Sequence, residues 1–472
     1  MKKILVILIS IVAFSFKADQ PLCTVVDGVA SRHPEATFGF YAYDIDSDKG
    51  ICAYNSDKNL APASTLKLLT TLTALEVFGA ESTPFHTQFQ YNGKIENGTL
   101  KGDVIVSATG DFTMGSRYFY RPDPFETVAN KMIEKGIEKI DGKIILDLNG
   151  FEQERIPANW SFDDLGNYYG ASLAPFNWSD NTTFITFKSG AAGEKTEIVN
   201  MVPPVSELEF DNQVIGANIR YDNAYVYGAP RQYNRTIRGE IPANRAEFKI
   251  KASVPEPELF GMQCFVAKLR EMHIEVPYGA VSIVDDYTEP ITDILIEIIS
   301  PSMSEIIAVT NMESNNLFAE GLLKAIAHRL TGEWSRTKGV FAIKDFWKEK
   351  GVDLDNTNLY DGSGLSRFNG ISPKQLVELL NFEAKSKNFE EFRSTLPIAG
   401  ASGSLKTMLK GTKAENNLTA KSGYIEKVRA YAGYVRASNG NLVAFSVVVN
   451  NYHCSATEAR KELELIMRAI AN

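Results

Sequence analysis

Residues 37–79 and 304–472 read as pieces of one α/β domain, yet about 200 residues of another texture lie between them. At the near end, FGFYAYDIDSDKGICAYN alternates, turns at Asp46-Ser47-Asp48 and alternates again, as a β-hairpin does. Pro62-Ala63-Ser64 then opens LKLLTTLTALEVFG, where Leu66, Leu69, Leu72, Thr73 and Val77 recur at the spacing of an amphipathic helix before Gly79 stops it. At the far end, helical text runs from Ser304 through LFAEGLLKAIAHRL and GVFAIKDFWKEKG. Strands near 431–435 and 442–450 follow, and ATEARKELELIMRAI closes the chain as a helix. The middle, 86–288, holds short alternating strands such as Val104-Ile105-Val106 and Phe184–Phe187, with Asn-Gly turns and few helices. A hairpin and helix that find their partners only beyond such an excursion define a discontinuous domain. The spacing predicts a multidomain α/β chain: one domain at 24–85 and 289–472, interrupted at 86–288 by a mainly β insertion of two subdomains.

The first residues, MKKILVILISIVAFSF, put two lysines before an apolar run from Ile4 to Phe16. That run is short for a bilayer span and has the order of a secretory signal, expected at residues 1–18. The destination is then the periplasm, with loose membrane association left open. Cys23, Cys52, Cys264 and Cys454 fit an exported protein with zero, one or two disulfides. Their spacing, like that of the five histidines, matches no metal site, and no metal or cofactor is expected. A net charge of -9 leaves no basic excess for nucleic acid.

Chemistry is carried by three short motifs. Ser64-Thr65-Leu66-Lys67 places a hydroxyl and an amine on one helix face. Lys67 can take the serine proton if burial or a second cation lowers its pKa from about 10.4. Ser314-Asn315-Asn316 falls between two helical segments, where a hydroxyl and an amide can point into a cleft. Lys421-Ser422-Gly423 comes just before the strands expected to pack against the Ser64 helix. Glycine at 423 lets a substrate backbone lie along the strand edge.

Each motif has a decoy. Ser335-Arg336-Thr337-Lys338 is wholly polar and reads as solvated helix surface. Ser386-Lys387-Asn388 sits in the polar run EAKSKNFEE. Ser179-Asp180-Asn181 and Lys188-Ser189-Gly190 bracket the strand TTFITF, and six extended residues hold their ends roughly 20 Å apart. Two groups so separated cannot touch one hydroxyl, so that pair reads as structural.

The order S-x-x-K, S-x-N, K-S-G marks serine acyl-transfer enzymes. With it, the chain resembles the D-Ala-D-Ala carboxypeptidase/endopeptidase family, the low-molecular-mass, class C penicillin-binding proteins with inserted domains. The resemblance extends to Gly110-Asp111-Phe112-Thr113, where the family usually has G-D-P-T, and to Asn159-Trp160 through Tyr169-Gly170-Ala171. It also takes in Asp361-Gly362-Ser363-Gly364-Leu365-Ser366-Arg367 and Leu396–Gly400. The gap of about 250 residues between Ser64 and Ser314 fits its insertion.

The resemblance implies a transpeptidase-like fold shared with serine β-lactamases and a D-alanyl-D-alanine carboxypeptidase activity, with endopeptidase activity open, on peptidoglycan stem peptides. It further implies Ser64 as nucleophile, Lys67 as base and Ser314 as proton relay. Asn316 would hold Lys67 and the substrate amide, and Lys421 would be the second cation that lowers Lys67. Ser422 would bind the terminal carboxylate, and the amides of Ser64 and Tyr424 would form the oxyanion hole. Arg367, Trp160 and Asp163 match positions that in some relatives line a pocket for a diaminopimelate side chain. β-Lactams would be covalent inhibitors, and no specific protein partner is inferred. Ser422 in place of threonine, and Tyr424-Ile425 in place of small residues, depart from the pattern. A catalytically silent wall-binding scaffold and a β-lactamase are the alternatives. The first would lack a motif residue; the second needs a base for deacylation that the sequence does not reveal.

Overall fold

The computed structural model describes residues 21–152 and 154–472; the expected leader at 1–18 lies outside the described residues. Its centre is a five-stranded antiparallel sheet in the order 419–425, 428–436, 442–450, 37–44, 49–54. The first hairpin thus joins strands from the far end, Thr37 opposite Asn450 and Asp44 opposite Val443. This is the closure that the texture of the two ends predicts.

Both faces of the sheet are covered, and the central strand shows why. Every residue of Leu442–Asn450 is buried. Leu442 and Ala444 face a helical bundle built from 67–78, 303–312, 316–331, 336–349 and 373–384. Val443, Phe445, Val447 and Val449 face the opposite way, onto the helices Pro21–Ser31 and Ala456–Ile470. Alternation along a strand with apolar residues on both sides is what a sheet sandwiched between helices requires. The Cys23–Cys52 disulfide ties the N-terminal helix to strand Lys49–Tyr54, while Cys264 and Cys454 are free thiols.

The insertion has two cores. One is a five-stranded sheet in the order 281–284, 144–147, 104–107, 86–91, 293–299. The helices Pro124–Glu134 and Pro257–Glu271 cover it. The other, nested within it, packs the three-stranded sheets of 182–253 around Ile185, Phe187, Val214, Val226 and Ile237. The expected boundary at 288 falls short. Asp293–Ile299 pairs with His86–Tyr91, so the insertion runs to Ile299 before the bundle resumes at Met303. Among the described residues no helix is long and apolar enough to cross a membrane.

Candidate active site

Ser64 sits in a single 3₁₀ turn, Ala63–Leu66, that passes directly into the helix Lys67–Phe78. The Pro62 carbonyl accepts from the Thr65 hydroxyl at 2.7 Å, and Ala63 is held at φ 47, a left-handed conformation costly for any residue but glycine. The helix is not amphipathic as expected: Lys67 through Leu75 are all buried, because the bundle encloses it. Lys67 therefore has no exit to water. Its Nζ donates to Asn316 Oδ1 and to the Ser363 carbonyl, both at 2.6 Å, and lies 2.9 Å from Ser64 Oγ.

Asn316 and Ser314 come from the turn between helices Met303–Met312 and Asn316–Thr331. Asn315 caps the second helix, accepting from Phe318 N, and Ser314 turns the chain with φ 56. Asn316 Nδ2 donates to Tyr169 O at 2.8 Å, so a residue of the insertion sets the amide orientation. Lys421 reaches in from the edge strand Thr419–Ile425, donating to Ser314 Oγ and to the Ser422 carbonyl, each at 2.9 Å. Lys421 and Gly423, two apart, share the face toward the serine turn. A Cβ on Gly423 would lie 2.6 Å from Pro62 O and 3.1 Å from Ser64 N. Glycine is required there by the approach of the serine turn itself.

Burial brings the Lys67 amine down to about 7, against the opposing pull of Asp361 and Glu320. Lys421 is lowered well below the usual lysine range, first by burial and then by the Lys67 charge. Burial leads the lowering of both amines, and the repulsion between the two lysines disfavours charging both at once.

The cleft above Ser64 encloses about 720 Å³. Arg367, Asp163, Asp164, Tyr225, Tyr227 and Tyr424 line it, so the insertion forms one wall. Ser422 Oγ donates to Ser404 Oγ at 2.7 Å beside the site. Tyr424 is exposed, with the Arg429 guanidinium 4.6 Å above its ring. Arg367 donates to Glu426 O at 3.1 Å. Asp164, next to the expected Asp163, is the more enclosed carboxyl. Burial raises it to about 6 while Arg367 pulls it down.

Trp160 is not a cleft residue. Its indole is buried and donates to Asp361 Oδ2 at 2.8 Å. Asp361 also accepts from Gly364 N, Ser366 N and Asn369 Nδ2. It thereby shapes the turn that presents the Ser363 carbonyl to Lys67. The sequence places Ser363 within the resemblance but gives it no role, because a backbone carbonyl has no side-chain signature.

The decoys are structural. Ser335 caps the helix Arg336–Glu349, but Arg336 is buried between Glu154 and Glu320 rather than solvated. Asp180, in a left-handed turn, holds Arg117 and Ser116, and Asn181 bonds Ser172 O. Ser189 Oγ donates to Pro242 O, within the second core.

A central sheet between helices, with two β-rich units inserted, is the penicillin-binding-protein fold. The crystal structure of penicillin binding protein 4 from Haemophilus influenzae superposes with a TM-score of 0.79 at 25% identity. It covers 94% of this chain and 97% of that one. The same protein complexed with a novel β-lactam gives 0.76. The D-Ala-D-Ala carboxypeptidase 3 (S13) family matches residues 24–471, and the chain belongs to that family. Among curated relatives, the D-alanyl-D-alanine carboxypeptidase DacB of Haemophilus influenzae is 26% identical over 447 residues, 92% of this chain and 90% of its own. A D-alanyl-D-alanine carboxypeptidase of Actinomadura sp. (strain R39) is 27% identical over 89% of this chain and 78% of its own.

Proposed function

We propose that this protein is a serine D-Ala-D-Ala carboxypeptidase acting on peptidoglycan stem peptides through an acyl-enzyme on Ser64. The observation that carries the reading is the set of partners around Lys67. Asn316 Oδ1 and Ser363 O can only accept, so they take two N–H groups of a neutral amine. The third direction, toward Ser64 Oγ at 2.9 Å, is left for the lone pair. An amine brought to about 7 is neutral in a useful fraction at physiological pH.

Ser64 Oγ then attacks the carbonyl of the D-Ala-D-Ala bond and its proton passes to Lys67. As the tetrahedral intermediate collapses, the C–N bond breaks and the leaving amine takes a proton through Ser314, whose hydroxyl is polarised by Lys421. Water repeats the sequence on the ester and frees Ser64. A β-lactam would form the same ester and leave slowly. Arg367 and the carboxyls of Asp163 and Asp164 offer opposite charges to the two ends of a diamino-acid side chain. The basic-then-apolar leader and the Cys23–Cys52 disulfide support export to the periplasm.

Release of D-alanine from a peptide ending in D-Ala-D-Ala tests this reading. Wild type should release one equivalent per peptide and Ser64→Ala none. Equal release by both would contradict it.

A further inference from the structure

Glu320 follows Asn316 by one helical turn, so the two share a face of helix Asn316–Thr331. Asn316 reaches Lys67 directly; Glu320 reaches it through the backbone. One Glu320 oxygen accepts from Gly362 N at 3.0 Å and from Ser363 N at 2.9 Å. The next carbonyl, Ser363 O, is the one that accepts from Lys67 Nζ. The turn is pinned from its other side as well, since Thr70 Oγ1 donates to Gly362 O at 2.7 Å. A Cβ on Gly362 would lie 2.6 Å from Ala319 O, so the turn lies flush on the helix.

We propose that Glu320 is a positioning residue for acylation, holding the Gly362–Ser363 backbone so that the Ser363 carbonyl fixes Lys67 with its lone pair toward Ser64. This rests on the reading of Lys67 as the base. The second Glu320 oxygen makes no hydrogen bond and faces Arg336 Nε at 3.6 Å. Arg336 in turn pairs with Glu154 of the insertion at 2.7 Å. The charged groups around Glu320 are therefore Arg336 on the next helix, Asp361 in the turn and Lys67 on the serine helix. Burial and Asp361 raise Glu320 to about 7, and Arg336 opposes them. A fixed carboxyl here does two things at once. It sets the direction of a carbonyl, and once ionised its charge holds the Lys67 proton more tightly.

Two substitutions separate those effects. Glu320→Gln keeps an oxygen for both amides, at the expense of the Arg336 pair, and removes the charge. Glu320→Leu removes both. Acylation by a β-lactam and D-alanine release are followed from pH 5 to 9, with thermal unfolding of each protein alongside. The Gln variant should keep the plateau rate within about threefold and move its ascending limb to lower pH, because the lysine proton is held less tightly. The Leu variant should lose about 10–100-fold in kcat with little change in KM, as expected when a reacting group is misaimed. A folded Leu variant with the wild-type plateau, a Gln variant as slow as Leu, or an unmoved limb in Gln would overturn the proposal. If Leu does not fold, Glu320→Met, of similar length and without an acceptor for the two amides, takes its place with the same expected loss. A wild-type protein that is neither acylated nor active would instead overturn the parent reading.

Discussion

Lys421 Nζ lies 2.9 Å from Ser314 Oγ although 107 positions separate the two residues. The contact exists because an edge strand and an interhelical turn meet over the serine turn, bringing a second cation to a hydroxyl already beside Asn316. Lys421→Met keeps the length of the side chain and removes the charge. Acylation should fall by about 10²–10³, the range seen when one preorganised polar group is lost from an acyl-transfer site. Stopped-flow measurement of acylation checks it; a loss under fivefold would remove Lys421 from the mechanism.

The pH dependence follows from Lys67. Its amine is lowered to about 7, and only the neutral form can accept the serine proton. Acylation should therefore rise as pH increases through a midpoint near 7. Lys67→Arg, protonated at every accessible pH, should lose about 10²–10⁴ in rate and show no such limb. A rate that falls with pH across that window would contradict the assignment.

Gly423→Ala tests the close approach of strand and serine turn. The added Cβ meets the Pro62 carbonyl at 2.6 Å, a backbone atom that cannot swing aside. The variant should lose about 1–3 kcal/mol of stability, as overpacking does, and should be acylated more slowly because Ser64 is displaced. Denaturant unfolding and acylation kinetics together measure both effects.

The motif residues were legible in the sequence because each pairs a reactive side chain with the start or end of an element. Three such motifs can meet only if the chain closes on itself. Closure was legible too, since FGFYAY and LVAFSVVVN both read as strands that need covering. Other features hide. Asp293–Ile299 reads as a strand of either unit, and only its pairing with His86–Tyr91 assigns it to the insertion. Trp160 beside two aspartates resembles a pocket wall, yet its partner is Asp361, about 200 positions away. Arg336 and Glu320 look like ordinary helix polarity, because the pattern does not tell a buried ion pair from a solvated one.

Glu383 gives a stability test independent of catalysis. It is fully buried in the last turn of helix Pro373–Ala384, and burial raises it from 4.5 to about 7. Between those values the native protein holds a proton that the unfolded chain releases, so stability falls as pH rises through the window. The full effect is on the order of 3 kcal/mol. Glu383→Gln should flatten that part of the stability profile and stabilise the protein at pH 8. Melting temperatures from pH 4 to 8 check it, and an unchanged slope in the variant would assign the dependence to other groups.

The central claim is that Ser64 is the nucleophile of an acyl-transfer site. Its most direct test is the intact mass of the protein after incubation with a β-lactam, beside Ser64→Ala. The account predicts one stable adduct on the wild type and none on the variant. A folded wild type that gains no mass, or a variant that gains the same adduct, would contradict it.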